Sequence, residues 1–457
     1  MNILLIAPAS GKWQRVARTR LFNGKTFRFS LLSLLSVAAT TPLNAKIRIV
    51  DEQVEPIPWD AEVDLVGITC MTALAPRAYE ISARFRNRGI PVVLGGMHPT
   101  LLPDEALDHA TAIVAGDAEG VWPEVVADAR NGCLAGVYRN ESPHSLEGLK
   151  PPPRHLLASD KYSTVYATQA TRGCPHGCEF CAVSAFNDNT QRRRPVEEVA
   201  AEVAKIPDRF VLFVDDNLTA DREYAARLFT ALMPLKKHWA TQSTLSIADD
   251  PDFVRLAAES GCIGLFVGLE TFSEKNLNSV NKSCHHVQDY RKAIRCFHKN
   301  GIAVEAGIVF GFDGDRPDVF ESTMKVLDRL EIDAVQVSIL TPLPGTPAHT
   351  KIRQRIITYD WSQYDFHHPV FTPSNMTPLQ LKAGHDWVTC QFYRPGRILR
   401  RLRRHLARPR GMKTFKYILA LNLAYYGRIR SWRIRGWNPA YHPARVRPNW
   451  TKRLPEL

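Results

Sequence analysis

Three cysteines fall within eight residues of the segment Thr171-Arg-Gly-Cys-Pro-His-Gly-Cys-Glu-Phe-Cys181, with Cys-x3-Cys-x2-Cys spacing at Cys174, Cys178 and Cys181. Thiolates are the ligands that iron–sulfur clusters require. Three of them hold three irons of a cubane and leave the fourth iron open to a small chelating molecule. Phe180, just before the last cysteine, offers an apolar side chain that can shield such a cluster and help set its potential. A structural zinc ion is the competing reading. It wants four ligands in two separated pairs, whereas these three thiols are unevenly spaced and His176 is the only local fourth candidate. The spacing favours a [4Fe–4S] cluster.

The elements around this segment follow a strand–helix rhythm. Between about residues 160 and 350 the candidate strands are Thr164–Thr168, Phe210–Val214, Thr241–Ser246, Gly264–Leu269, Val304–Phe310 and Ala334–Ile339, with helical patterns such as Val196–Lys205 and Val287–Asn300 between them. Six strands, each followed by a helix, predict a partial (β/α)6 barrel of the TIM type, whose active face is the C-terminal end of its strands. The cysteines follow the first of these strands. Upstream, the apolar runs Ile3–Ala7, Ile47–Val50, Leu65–Thr69, Val92–Leu94 and Ala112–Val114 predict a Rossmann-like parallel sheet with helices on both faces. Gly95 and Gly96 follow its fourth strand, where glycine lets a ligand approach the backbone; a plain turn is the alternative. Pro151-Pro152-Pro153 makes a stiff spacer. The α/β chain therefore divides into 1–150, 151–352 and a basic α-helical region, 353–457.

Composition narrows the class further. Of 457 residues, 45% are hydrophobic and 23% charged, ordinary values for a soluble globular protein. Nine cysteines, an odd number and scattered apart from the triplet, argue against a secreted disulfide framework and for a reducing compartment. The apolar stretch Phe29–Ala45 begins too late for a secretory signal and fits the first helix of an α/β domain. No run reaches the ~18–20 apolar residues of a membrane span. The expected location is cytoplasmic. From Gln391 to Leu457 there are 18 Lys and Arg against the single acidic Glu456, more than the chain's whole net charge of +13, so the body ahead of that tail is mildly acidic. Within the tail, Ile398–Arg404, Phe415–Tyr426 and Arg428–Trp437 interleave Arg with Leu, Tyr and Trp. Basic amphipathic helices with aromatics lie on anionic membranes, so peripheral contact with the inner membrane face is one expectation and a solvated helical cap on the barrel another. Nucleic acid, which Arg and aromatics can also bind, is the weaker reading.

The cysteine motif at the end of the first strand of a six-strand barrel resembles the radical S-adenosylmethionine (SAM) superfamily. With an upstream domain that looks like a cobalamin-binding domain, about residues 1–350 resemble the cobalamin-dependent class of that superfamily. The class includes methyltransferases of unreactive carbons and ring-forming enzymes, with members in hopanoid and bacteriochlorophyll pathways. The resemblance implies three cofactors: a [4Fe–4S] cluster, SAM on its open iron, and cobalamin. It also implies an electron donor such as flavodoxin or ferredoxin. One electron splits SAM into methionine and a 5′-deoxyadenosyl radical, which takes hydrogen from a substrate carbon; methylcobalamin would then supply a methyl group.

The resemblance also assigns residues. Asp215 and Asp216, in Val214-Asp-Asp-Asn217, would contact the SAM amino group, and Glu270, in Val267-Gly-Leu-Glu-Thr271, the ribose. Gly307 and Gly311 would lie against the adenosyl group, and Pro342 would help frame the adenine. Helix capping or ion pairing is the plainer use of the three carboxylates. Gly95 and Gly96, with Val50-Asp51-Glu52, Gly67-Ile-Thr69 and Gly116-Asp-Ala-Glu119, would form the cobalamin nucleotide-tail cleft. After Ile6, however, the chain reads Ala-Pro-Ala-Ser-Gly-Lys-Trp, without the Asp-x-His-x-x-Gly motif that carries a lower cobalt ligand. His98 reads as a turn or surface residue. The expected reaction is C-methylation of an unactivated carbon in a small-molecule, lipid or isoprenoid substrate; radical cyclisation, rearrangement or oxidation is the alternative. No residue stands out as an acid or base catalyst, and Tyr162 and Tyr166 read as core. An RNA-modifying methylthiotransferase would need three more cluster cysteines upstream, where only Cys70 and Cys133 occur.

Overall fold

The computed structural model describes residues 1–9, 31–162, 166–282, 286–408 and 411–433. Its first sheet contains β1 (Asn2–Ala7), β2 (Lys46–Asp51), β3 (Leu65–Thr69), β4 (Val92–Gly95), β5 (Ala112–Ala115) and β6 (Gly136–Arg139). They run parallel in the order β2-β1-β3-β4-β5-β6. Ile3, Leu5 and Val93 face one apolar core while Leu4, Ile6 and Leu94 face another, as expected for parallel strands covered on both sides. The strand order reverses between β1 and β3, and the crevice above such a switch point is where open parallel sheets bind ligands. Helix Leu32–Thr40 forms inside the apolar stretch expected to be helical and is pinned where Trp122 Nε1 donates to Thr41 Oγ1 at 2.8 Å. Edge strand β6 escaped the sequence reading because Tyr138 is its only buried side chain.

The second sheet holds β7 (Ala167–Thr168), β10 (Phe210–Phe213), β11 (His238–Ser243), β12 (Cys262–Glu270), β13 (Ala303–Phe310) and β14 (Ala334–Ile339), each parallel to the next in chain order. A separate antiparallel pair, β8 (Thr171–Gly173) and β9 (Gln191–Arg193), stands between β7 and β10 in the chain. This is the six-strand parallel half-barrel expected, with β7 and β14 as its unpaired edges. Two boundaries moved. Part of the first expected strand lies outside the described residues, leaving β7 two residues long. β11 starts at His238 and ends at Ser243, and a 3-10 turn, Leu245–Asp249, follows it.

Helices Pro378–Phe392, Pro395–Leu406 and Gly411–Arg433 complete the described chain. They share the barrel's core: Phe392, Ile398 and Ile429 belong to the same buried cluster as Val304 and Val335. Tyr393 OH accepts from Val335 N at 2.9 Å and donates to Val335 O at 2.8 Å, and Tyr425 OH donates to Glu305 Oε1 at 2.6 Å. A Cβ on Gly264 would overlap the Tyr417 ring. The last helix therefore crosses the N-terminal ends of β12 and β13, opposite the active face. Part of the tail's basicity is internal. Buried Arg401 lies 3.9 Å over the Phe392 ring and donates to Asn422 Oδ1 at 2.7 Å. Residues 434–457, with Trp437, lie outside the described residues.

Asp333 anchors this packing. Its carboxylate accepts from His298 Nε2 at 2.9 Å, Val304 N at 3.0 Å and Arg408 at 2.8 Å. Burial raises the carboxyl's pKa, but His298, Arg408 and the Val304 N–H more than offset this and hold it well below the ordinary range. Asp333→Asn should cost about 3–5 kcal/mol by leaving buried cations unpaired. Because the folded-state value is depressed, the wild-type advantage is complete above the unfolded value of about 4 and shrinks as pH falls toward the folded one. Denaturant titrations of both proteins between neutral and acidic pH would test this.

Candidate active site at the strand C-terminal ends

The cysteine loop begins where the chain leaves β8 and ends at helix Ala182–Phe186, which Cys181 immediately precedes. Cys178 is buried; Cys174 and Cys181 are half-buried. Gly173 has a φ of 88°, and a Cβ there would overlap Thr190 O across the hairpin, so glycine is required beside Cys174. Backbone bonds tie the loop to the helical segments that follow β12 and β14: Glu179 N donates to Val280 O at 3.1 Å, and Ala348 N to Glu179 O at 3.0 Å. Asn281 Nδ2 adds a bond to Gly177 O at 3.0 Å. Phe180 packs with Val280, Phe312 and Leu340. A cubane asks for one thiolate on each of three irons, and a donor set of three thiols on one pinned loop supplies that number.

Asp215 is fully buried and accepts from Ala170 N at 3.1 Å, Thr171 N at 2.5 Å and Thr171 Oγ1 at 2.8 Å. Burial pushes its carboxyl up to about 7 despite these donors. Asp216 accepts from Gly173 N at 3.0 Å. Both carboxylates thus bond the backbone that carries the cysteine loop, a use different from the helix capping weighed for them. Asn217, quoted in the motif but given no role, points Nδ2 at Cys174 Sγ, 3.9 Å away.

Glu270 ends β12 in a left-handed conformation, φ 60°, at a register shift against β13. Its Oε1 lies 2.7 Å from Lys282 Nζ, and both side chains are largely buried. Gly268 leaves the space that this folded-back carboxylate fills. Lys282 was missed in the sequence because no strand or spacing pattern marks it. Gly307 shares the Gly268 face, close to the Phe266 ring. Gly311, φ 109°, donates to Asp315 Oδ2 at 2.9 Å, and its Cβ position lies near Leu381 and Phe371. Pro342 is buried after β14, beside Leu343, which packs with Ala182 of the helix after the cysteines.

At the first sheet, Gly96 has a φ of 105°, and a Cβ there would lie 2.9 Å from Cys70 O. Its role in the fold is a tight turn against the β3 end. His98 is fully buried, not at the surface: its Nε2 meets Tyr79 OH at 2.9 Å and Glu105 Oε1 at 3.3 Å, and burial lowers its pKa. The acidic groups read as part of a ligand cleft are engaged within the protein. Asp51 accepts from Tyr162 OH at 3.0 Å, Glu52 from Ala9 N at 2.8 Å and from Arg77, and Asp117 and Glu119 bind Arg172. Gly67 packs on Leu5 and Trp122. Small residues, Gly95, Gly96 and Gly116, end or follow strands β4 and β5, with nothing within 4 Å of a Cβ on Gly116.

Residues 168–327 match the radical SAM superfamily and residues 40–126 the B12 binding domain. The chain is 30% identical over 383 residues to bacteriochlorophyllide d C-12(1)-methyltransferase of Chlorobaculum tepidum, spanning 81% of this chain and 84% of that one. It is 27% identical over 336 residues to hopanoid C-2 methylase of Rhodopseudomonas palustris, spanning 70% and 64%. The cobalamin-dependent SAM radical enzyme OxsB, solved with aqua-cobalamin, shares the fold with a TM-score of 0.64 at 13% identity, over 97% of this chain and 74% of that one. The chain belongs to the radical SAM superfamily, in the group whose barrel follows a B12-binding domain. It is a cobalamin-dependent radical SAM enzyme of the methyltransferase class, using a [4Fe–4S] cluster, SAM and cobalamin.

Asp215→Asn keeps the shape but points an amide N–H2 at donors. Buried donors left unpaired cost about 1–3 kcal/mol, and the cysteine loop loses its anchor. Lower thermal stability together with reduced iron incorporation on anaerobic reconstitution is the expected result.

Proposed function

We propose that Cys174, Cys178 and Cys181 hold the cluster, that SAM occupies the strand ends around them, and that the enzyme methylates an unactivated carbon of a polycyclic, largely apolar substrate. The carrying observation is convergence. Asp216, Asn217, Val280 and Ala348, from the segments that follow three strands of the barrel, all bond the hairpin end and loop that bear the thiols. When bound, the cluster and SAM supply the radical and cobalamin the methyl group. The protein's own residues position and desolvate. Glu270 can accept from ribose hydroxyls, and Lys282 beside it can neutralise the SAM carboxylate. Phe180 and Phe312 keep water from one side of the cluster. The domain division at 150 and 352 fits this assignment: the first part carries cobalamin, the second SAM, and the third closes the barrel from below.

The substrate class is supported by the relatives, whose names specify a bacteriochlorophyllide and a hopanoid. Anaerobic reconstitution with iron, sulfide and hydroxocobalamin, followed by mass spectrometry with tetrapyrrole and hopanoid substrates, tests the reading. About four irons per chain, retained cobalamin, and both 5′-deoxyadenosine and S-adenosylhomocysteine are expected. 5′-Deoxyadenosine without S-adenosylhomocysteine would favour ring closure, rearrangement or oxidation. Alanine at any of the three cysteines should abolish SAM cleavage, and full activity in such a variant would refute the ligand assignment.

An electron donor such as flavodoxin or ferredoxin belongs to the same proposal, as does peripheral membrane contact. No helix among the described residues is long and apolar enough to cross a membrane. Helix Pro395–Leu406, however, exposes Leu399 and Leu406 beside Arg400 and Arg403, with Met412 exposed just after it. Apolar side chains among arginines suit an anionic lipid surface. Co-sedimentation with anionic but not zwitterionic vesicles is expected, weakening with salt and on replacing Arg400 and Arg403 by Gln.

A further inference from the structure

We propose that Arg172 and Arg192 are positioning residues through which Asp117 and Glu119 of the B12-binding domain set the register of the cluster loop. The proposal rests on Cys174 being a cluster ligand. Arg172 lies two residues before Cys174 on β8, and Arg192 stands directly opposite it on β9. Like charges directly opposed on an antiparallel pair repel, so the hairpin by itself is frustrated. The counter-charges come from the other sheet. Arg172 binds Asp117 Oδ1 at 2.6 Å and Glu119 Oε1 at 2.7 Å, and Arg192 binds the other oxygen of Asp117. His144 O accepts from Arg192 at 2.8 Å, and Asn187 Oδ1 at 3.1 Å. The carboxylates are 7% and 6% exposed and the guanidiniums 15% and 18%, so salt screens the cluster little.

Desolvating four charges cancels most of their attraction, so such a group is poor evidence for stability and better suited to specifying one arrangement. Here the arrangement has a mechanical consequence. Gly173 joins Arg172 to Cys174 and is clamped against Thr190 O and by Asp216. Docking of the Asp117–Glu119 corner therefore fixes the hairpin, and the hairpin fixes the first thiol. In methyl transfer the methyl donor and the radical must meet within about an ångström of the productive geometry. A strap from the B12-binding domain to the cluster loop meets that need.

The test uses the full-length reconstituted protein with Asp117→Asn/Glu119→Gln. Amide exchange across residues 171–193 should rise at least about tenfold, with the six-stranded first sheet unchanged. 5′-Deoxyadenosine formation should fall on the order of 10–100-fold. Adding Arg192→Met to that variant removes the opposed charge and should restore part of the hairpin's protection, whereas in a merely stabilising ion-pair network a further loss would worsen it. Wild-type exchange in the first variant, or no recovery in the second, overturns the proposal. Iron content of Cys174→Ala tests the cluster assignment separately.

Discussion

The site depends on how the chain leaves a two-residue strand. β7 ends at Thr168, and the N–H groups of Ala170 and Thr171 would be stranded in a buried position. Asp215, arriving at the end of β10, collects both, together with the Thr171 hydroxyl. Unmade, these bonds would each cost a buried donor its partner. Made, they turn the chain out of the sheet into the β8–β9 hairpin, and only then can three thiols stand above the barrel mouth. A carboxylate this buried is costly in its charged form, which is why burial pushes its titration up to about 7.

The opposite end of the barrel shows the same economy with the opposite sign of charge. An Arg-rich tail read from sequence is a surface feature, because arginine is mostly exposed. In the structure Arg401 and Arg408 are internal braces. One stacks on Phe392 and bonds Asn422; the other reaches Asp333, already held by His298. Guanidinium tolerates this because it is weakly hydrated and stacks on aromatic faces.

Legibility followed local pattern. The apolar runs of the sheets are continuous, so eleven of the twelve parallel strands appear within three residues of their expected ends; β6 was not expected. The cysteine spacing is local too, and it was readable. Partnerships across the chain were not. Lys282 meets Glu270, Asp117 meets Arg172, and His98 is drawn into the core by Tyr79 and Glu105, each through contacts that no periodicity encodes. The β8–β9 pair was invisible because its residues, Thr-Arg-Gly and Gln-Arg-Arg, carry no strand pattern and owe their pairing to counter-charges elsewhere.

Glu270 shows why a motif residue and its neighbours must be read together. A non-glycine residue at φ 60° is strained, typically by about 1–3 kcal/mol, and persists only where its surroundings over-determine it. Three constraints do so here. The bulge against β13 shifts register at this residue, Gly268 vacates the space for its carboxylate, and Lys282 fixes the charge. The same strain turns the carboxylate back over the Gly268–Gly307 face instead of along the strand. That face is filled from within the protein by the Glu270 carboxylate, Lys282 and the Phe266 ring, so the two glycines make room for a paired carboxylate and ammonium at the ends of adjacent strands.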